Sequence, residues 1–415
     1  MIQRLRATYR EYPSKFWVLV GTSFVDGVGR TLLFPFFTLY VTQRFNVGMT
    51  EAGGLLAVFS VSGFFGNMLG GGLTDRFGRR GMVLFGLVFS ALSAVLMGLV
   101  SRLVVFYFLA VFVGFLSDIA GPAHGAMVAD MLPERQRAEG FGVLRVAGNM
   151  AWIIGPTIGG LLASRSYLLL FVLDAVCSLI TAGIVYRLIP ETRPEARQTA
   201  QRESFAATFR GYRKVLADGG FLGFLTVATI MNLVYLQMYS TFSVYLRDVH
   251  GIPPQGYGFL TSLNAMIVVL FQFWVSRRIN RRPPMVMMAL GTAFYLVGFT
   301  MFGFVSAYVL FAVAMVVITV GEMIAIPTSQ ALVARFAPED MRGRYMAIFS
   351  LAWQVPSAVG PWAAGMVMDN FNPNWVWYAA GILAAVAVAG FLGLHLKTRA
   401  RFAERPGQPQ AVPAS

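Results

Sequence analysis

Long apolar stretches recur along the whole chain, each bounded by charged residues, glycine or proline. A helix rises about 1.5 Å per residue, so roughly 20 apolar residues cross a bilayer core about 30 Å thick. Twelve stretches reach that length, and each is predicted to be a helix because lipid offers backbone groups no partners. They cover residues 16–43, 52–74, 82–100, 103–130, 142–163, 167–188, 221–246, 256–276, 285–303, 306–334, 345–368 and 375–396.

The composition supports a membrane protein. Hydrophobic residues make up 57% of the 415 residues and charged residues 13%, against roughly 25% charged residues in a soluble domain. The net charge of +14 has two common explanations, which are nucleic-acid binding and the cytoplasmic loops of a membrane protein.

The positions of the basic residues decide between these explanations. Arg44, Arg102, Arg165 and Arg247 lie on one side of the predicted spans and Arg30 lies within a span. The other Lys and Arg residues lie in the alternate loops or, like Arg145 and Arg187, at the span ends next to them. Cytoplasmic loops carry such an excess, so both termini are predicted to be cytoplasmic. Since the charges are dispersed among short loops, no nucleic-acid partner is expected.

The same pattern divides the chain into five parts. A basic cytoplasmic arm (1–15) precedes a first six-helix bundle (16–188), and no cleavage site follows the first span. A cytoplasmic linker (189–220) contains Phe205, Phe209, Tyr212 and Leu216 at helical spacing, which predicts a short interfacial helix. A second bundle (221–396) and a disordered cytoplasmic tail (397–415) complete the chain.

The two bundles are related by an internal duplication. At an offset of 205 residues, Pro122 aligns with Pro327, and Gly155-Pro156 aligns with Gly360-Pro361. The sequence therefore predicts an all-α membrane protein with twelve transmembrane helices in two pseudo-symmetric six-helix bundles. Repeated halves place a binding site between them near the midplane, with alternating access by rocking of one half on the other.

Few residues are available for enzyme chemistry. The chain has one cysteine, Cys177, and three histidines, so neither a disulfide framework nor a multi-cysteine metal site is expected. No His-Glu-x-x-His sequence is present, and a membrane enzyme is disfavoured. No cofactor is expected.

Acidic residues within the spans are the leading functional candidates, because a charge near the bilayer centre costs roughly 2.5–3.5 kcal/mol on insertion scales. Asp26, Asp118 and Glu322 are predicted to take part in proton coupling. Asp26 has an alternative, an ion pair with Arg30 four residues later. Asp118 and Glu322 have the alternative of a hydrogen-bonded polar anchor.

Two further polar residues within the spans are assigned structural roles. For Asp174 in the sixth span, packing is favoured. His124 lies six residues after Asp118 and therefore on a different helix face, so a core histidine is favoured over a proton relay.

The segment Gly71-Gly72-Leu73-Thr74-Asp75-Arg76-Phe77-Gly78-Arg79-Arg80 resembles the loop signature of the major facilitator superfamily. This resemblance implies the major facilitator fold and a cytoplasmic gate formed by Gly71, Asp75, Arg76, Gly78, Arg79 and Arg80, with Asp130 and Arg145. A topology anchor and simple interfacial positions are the alternatives. In this superfamily the first, fourth, seventh and tenth spans line the central cavity, and three of them carry the acids named above.

Two more segments resemble members of that superfamily. Gly148, Gly155, Pro156, Gly159 and Gly160 match the antiporter motif of drug exporters, although Ala151 replaces its first glycine. Close helix packing without antiport is the alternative. Gly321-Glu322 followed by Pro327 is similar to proton-coupled multidrug transporters of the LmrP type and also to peptide/proton symporters, whose Glu-x-x-Glu-Arg signature is absent.

Aromatic and polar residues on the lining spans suit amphiphilic cations. The cavity candidates are Arg30, Phe34, Tyr40, Asn232, Tyr235, Gln237, Tyr239 and Trp353. The chain is interpreted as a monomeric exporter of small amphiphilic or cationic compounds in exchange for protons, in a bacterial-type plasma (inner) membrane. The alternatives are a proton-coupled symporter of a nutrient or peptide and a lipid or lysolipid transporter.

Overall fold

The structure, a computed structural model, describes residues 11–193, 212–279, 282–338 and 341–402. Within these ranges the burial of Gly71 and Gly72 is not described. The side chains of eight further residues are also not described: Asp75, Asp118, Glu134, Arg135, Ala138, Ala400, Arg401 and Phe402. Most of the N-terminal arm, linker residues Phe205 and Phe209, and the tail from residue 403 therefore lie outside the described residues.

The described residues form helices and contain no strand. A 3₁₀ turn at Phe34–Phe36 separates the first two α-helices. The α-helices are α1 Ser14–Leu33, α2 Phe37–Phe45, α3 Met49–Phe77, α4 Arg79–Leu99, α5 Leu103–Ile119, α6 Gly121–Met131, α7 Glu134–Ala163, α8 Tyr167–Leu188, α9 Gly219–Tyr235, α10 Gln237–His250, α11 Pro254–Ile279, α12 Pro284–Phe302, α13 Tyr308–Phe336, α14 Arg342–Phe349, α15 Leu351–Asn370 and α16 Trp375–Phe402.

Several predicted spans consist of two helices. The first bends at the turn containing Pro35, which has no backbone N–H to donate. The fourth is divided before Pro122, between α5 and α6, and the seventh at Leu236, between α9 and α10. Because the first and seventh spans are equivalent in the duplication, both halves interrupt their first span.

Eleven helical stretches among the described residues are long and apolar enough to cross a membrane, rather than the twelve that the sequence predicts. The difference is the eleventh predicted span, 345–368, which the structure divides at Ser350 between α14 and α15. Gln354 and the internal prolines Pro356 and Pro361 interrupt the apolar sequence of α15. The boundary of the tail needs correction, because α16 continues to Phe402, past the predicted boundary at residue 397.

The two halves meet through two symmetric pairs of helices. α3 packs against α15, and α7 packs against α11. In the order of the predicted spans these are the second with the eleventh and the fifth with the eighth, so the pairing follows the internal duplication. Aromatic contacts extend the core across the seam, as where Phe36 meets Tyr257 with ring centroids 5.6 Å apart.

We name the end of the bundle at which α1 begins the terminal end and the opposite end the far end. Close contacts between the halves lie toward the far end. The hydroxyl of Thr38 donates to the carbonyl of Ser240 at 2.7 Å, and a Cβ on Gly53 would lie 2.4 Å from the carbonyl oxygen of Pro361. Because these contacts leave no space between the backbones, the halves are closed together at the far end.

Candidate transport site

Glu322 lies in the interior of the bundle, partly buried on α13. Its Oε2 accepts a hydrogen bond of 2.8 Å from Nδ2 of Asn264 on α11. Asn264 is buried and also donates to the hydroxyl of Thr319, one turn before Glu322. The carboxylate is therefore held by a neighbouring helix rather than directed toward lipid.

Aromatic side chains from both halves lie around this carboxylate. The hydroxyls of Tyr235 and Tyr239 are 3.2 Å apart, and the Tyr235 hydroxyl also interacts with Glu322. Trp152 of α7 lies 5.0 Å from Tyr239, and Trp353 of α15 meets Tyr235 edge to face at 6.0 Å between ring centroids. We name Glu322, Asn264, Tyr235, Tyr239, Trp152 and Trp353 the Glu322 cluster.

The Glu322 cluster crosses the seam between the halves. Trp152 belongs to the first half, as does Arg145, which lies within range of a Coulombic interaction with Glu322. Glu322 and Tyr239 belong to the second half. A site of this kind can bind a cation through aromatic faces and one carboxylate.

A cavity of about 520 Å³ lies within the first half, next to the Glu322 cluster. Arg30, Phe34, Trp152 and Asp174 are among its lining residues. Trp152 connects the two sites, because it lines this cavity and contacts Tyr239. We name this space the first-half cavity.

Asp26 forms the ion pair that its spacing from Arg30 allows, with 3.4 Å between Oδ2 and the Arg30 Nε. It also accepts a hydrogen bond of 3.3 Å from the hydroxyl of Ser178 on α8. Asp118 lies near the end of α5, but its side chain is outside the described residues. His124 is hydrogen bonded to Ser23, with 2.8 Å between Nε2 and the hydroxyl, so it is a partnered histidine of the first half.

Three predicted cavity residues lie elsewhere. Tyr40 is buried, and its hydroxyl donates to the Met97 carbonyl at 3.0 Å. Asn232 is buried and donates to the carbonyl of Ala352 at 2.7 Å, which joins α9 to α15. Gln237 is buried beside a separate cavity of about 130 Å³ in the second half. In this structure Tyr40 and Asn232 therefore pack against neighbouring helices, and Gln237 lines a cavity other than the first-half cavity.

Arg79 of the predicted gate is buried and binds within its own half. Its Nε lies 3.1 Å from Oδ2 of Asp130 on α6, and it also donates to the carbonyl of Thr74. Arg80 lies over the ring of Tyr186 and donates to the Tyr186 carbonyl. Exposed Arg76 lies over Phe77. The side chain of Asp75 and the surroundings of Gly71 are outside the described residues.

Glu191 fixes the start of the linker to this loop. Its carboxylate accepts hydrogen bonds from the backbone N–H groups of Arg79 (2.9 Å) and Arg80 (3.2 Å), at the beginning of α4. Burial raises the pKa of Glu191, but hydrogen bonds from four backbone N–H groups outweigh burial and hold that pKa below its ordinary value. Gly78 has φ +87°, and a Cβ there would collide with Glu191.

The motif glycines on α7 are packing positions, with one exception. A Cβ on Gly155 would lie 2.0 Å from the Thr31 hydroxyl, and one on Gly159 would lie 2.5 Å from the Leu32 carbonyl oxygen. Gly160 lies against α11 in the other half, as does the carbonyl of Pro156. A Cβ on Gly148 would meet nothing within 4 Å, and Gly148 lines the first-half cavity instead.

Sequence reasoning did not assign Trp152, Asp174, Glu191 or Asn264 to these sites; Trp152 was one aromatic residue among many. Asp174 lines the first-half cavity, although a packing role was favoured; its intramembrane charge was the available signal. Glu191 follows Pro190 at the end of α8, and its capping role depends on a tertiary contact. Asn264 was recognisable only as a polar residue within an apolar span.

Known relatives cover most of the chain. The uncharacterized MFS-type transporter YttB of Bacillus subtilis (strain 168) is 28% identical, over 91% of this chain and 94% of its own. A Na(+), Li(+), K(+)/H(+) antiporter of Planococcus maritimus is 26% identical, over 91% and 94%. Multidrug resistance protein 1 of Bacillus subtilis (strain 168) is 23% identical, over 90% and 94%.

A solved structure shares the fold. The nucleoside transporter NupG superposes with a TM-score of 0.80 at 14% sequence identity, over 92% of this chain and 100% of that one. Residues 19–361 and 324–414 match the Major Facilitator Superfamily. The chain therefore belongs to the Major Facilitator Superfamily and is a multi-pass membrane transporter.

Proposed function

We propose that this transporter exports small amphiphilic cations in exchange for protons by alternating access. The observation that carries the proposal is the position of Glu322, a carboxylate hydrogen bonded to Asn264 at 2.8 Å. It lies beside Tyr235, from which aromatic contacts extend through Tyr239 to Trp152 of the first half. Such a carboxylate can be neutralised by a proton or by a cation. Coupling follows if proton and substrate favour opposite charge states of one site.

The cycle begins with the substrate bound while the halves are closed at the far end. Rocking of the halves opens the far end, and protonation of Glu322 there neutralises the site and releases the substrate. Return to the first arrangement releases the proton on the terminal side. Asp26 and Asp118 remain further proton-coupling candidates.

The relatives support both parts of the proposal. One carries the name of a cation/H(+) antiporter, and others carry the name of multidrug resistance proteins. We further propose that the chain is a monomer in the plasma membrane with both termini in the cytoplasm, as the distribution of its basic residues predicts. The far end then faces outward.

Transport into proteoliposomes tests this proposal with a defined probe, the fluorescent organic cation ethidium. Vesicles with an acidic interior should accumulate ethidium, because protons leave as the cation enters. Glu322→Gln should lose this accumulation and keep the thermal stability of the unaltered chain. Asp248→Asn, at a half-exposed acid of the far end, is the matched control and should transport normally.

Two outcomes would contradict the proposal. If both Glu322→Gln and Asp118→Asn accumulate ethidium in response to the pH gradient as fully as the unaltered chain, these acids do not take part in proton coupling. Accumulation that requires an acidic exterior, on the same side as the substrate, would indicate proton symport instead of exchange.

A further inference from the structure

Asp174 is a buried acid without a partner in the first-half cavity. It is 6% exposed, its side chain lines the cavity, and its Oδ1 accepts no hydrogen bond from the described residues. Gly29 on α1 gives it room, because a Cβ there would lie 2.9 Å from that oxygen. An unpaired buried carboxylate costs several kcal/mol, so it needs either a proton or a positively charged ligand.

When Asp174 is ionised, it adds one negative charge that the described charges around it do not offset. Asp26 and Arg30 on α1 form a pair at 3.4 Å and offset each other. On the neighbouring elements, His124 is hydrogen bonded to Ser23, and Cys177 lies one turn beyond Asp174. A ligand with a single positive charge therefore balances the site.

The size and walls of the cavity indicate what kind of cation fits. Its volume of about 520 Å³ lies within the range of drug-sized sites, roughly 300–1,000 Å³. An inorganic ion would fill little of that space. The walls combine hydroxyl groups with aromatic rings, which suit an apolar body attached to a cationic group. They include Phe34, Phe37, Phe59, Trp152, Ser60, Ser90, Ser93 and Ser117.

We propose that the first-half cavity binds a monovalent organic ammonium compound whose N–H group donates to Asp174. The aromatic body lies toward Trp152, which connects this site to the Glu322 cluster. This inference rests on the proposed export of amphiphilic cations and deepens it. It places the ammonium group of the substrate at Asp174 and the coupled proton at Glu322, whose negative charge strengthens cation binding in the adjoining cavity.

Binding of monodansylcadaverine, an aromatic compound with one ammonium group, tests the assignment. Its fluorescence is titrated against the purified full chain in nanodiscs, with the uncharged N-acetyl derivative as the comparison ligand. Asp174→Asn, which keeps size and removes charge, should weaken binding of the cation about tenfold or more. Binding of the uncharged derivative should stay unchanged. Glu322→Gln removes a charge outside the first-half cavity and should weaken binding of the cation less than Asp174→Asn does.

A second variant keeps the proposal testable if Asp174→Asn does not fold. Gly148→Leu fills open space on the cavity wall and should abolish binding of both ligands. Gly183→Leu, at another helical glycine whose Cβ would meet nothing within 4 Å, is the matched control and should bind normally. Normal binding by Gly148→Leu would overturn the proposal.

Two further results would overturn it. Unchanged cation binding in Asp174→Asn would do so, and so would equal weakening of the charged and uncharged ligands, which indicates a structural role. The proposed function is judged separately by driven transport. If Glu322→Gln abolishes driven transport while Asp174→Asn binds the cation normally, the export proposal stands and this assignment fails.

Discussion

The carboxylate of Asp369, at the end of α15, accepts hydrogen bonds from both the backbone N–H (2.7 Å) and the hydroxyl (2.6 Å) of Thr50, in the first turn of α3. The neighbouring Met49 N–H donates to its other oxygen at 2.9 Å. A carboxylate of one half therefore caps a helix N-terminus of the other, where the helix dipole favours negative charge. This contact stabilises closure of the far end.

Removing that charge should loosen the far end. Asp369→Asn is expected to shift the equilibrium toward far-end opening by about 1–2 kcal/mol, because charge-assisted hydrogen bonds to a helix N-terminus are lost. Spin labels at exposed Gln43 and Asn372, in opposite halves, report the change as a larger population of long distances. Asp248→Asn is the matched control, and a distance distribution equal to that of the control would contradict the prediction.

A methyl group at the seam should have a similar effect by steric means. Gly53→Ala places a Cβ 2.4 Å from the Pro361 carbonyl oxygen, so closure requires α3 and α15 to move apart. We expect overpacking to disfavour the closed far end by about 1–3 kcal/mol, measured with the same label pair. Gly183→Ala, which has open space, should leave the distances unchanged. If the far end stays closed in Gly53→Ala, the backbones of α3 and α15 are farther apart than the structure shows.

Removing only one partner of the Arg79–Asp130 pair should strongly lower the free energy of unfolding. The Arg79 side chain is 3% exposed and that of Asp130 12%, so removing either partner leaves a largely buried charge. Arg79→Met or Asp130→Asn should each destabilise the chain by about 3–5 kcal/mol, and the double variant should lose less than the sum. Unfolding in denaturing detergent measures the differences. Exposed Arg76→Met is the control, and strict additivity would contradict a direct pair.

Glu191 should contribute stability that depends on pH. Its pKa is lower in the folded chain than the ordinary value of 4.5. The contribution is therefore fully present above that ordinary value and lost as the pH falls through the lower pKa of the folded chain. Glu191→Gln should cost about 1 kcal/mol near neutral pH, and the difference from the unaltered chain should shrink in acid. Glu11→Gln, at an exposed acid, is the control. A loss of stability in Glu191→Gln that grows as the pH falls would contradict the prediction.

The sequence predicted the spans well, because their lengths follow from bilayer thickness and from the need to satisfy backbone groups. It placed Asp26 and Glu322 within helices for the same reason. Which face of a helix meets the cavity depends instead on packing against neighbours. Tyr40 and Asn232 were therefore assigned to the cavity although both are buried against other helices.

The eleventh span shows a second kind of difference. Its Gln354 and two prolines reduce its apolar character, and its helix packs along α3 of the other half. A window of hydrophobic residues does not reveal that packing. The same applies to Glu191, since its partners at Arg79 and Arg80 are more than a hundred residues away in the chain.

The proposed exchange requires that a proton on Glu322 and a bound cation oppose each other. Proton release on addition of monodansylcadaverine to the purified chain in weakly buffered solution, scanned across neutral pH, tests it directly. The unaltered chain should release more protons per bound cation than Glu322→Gln, because only the unaltered chain can lose a proton from Glu322. Equal proton release per bound cation from both proteins would contradict this coupling.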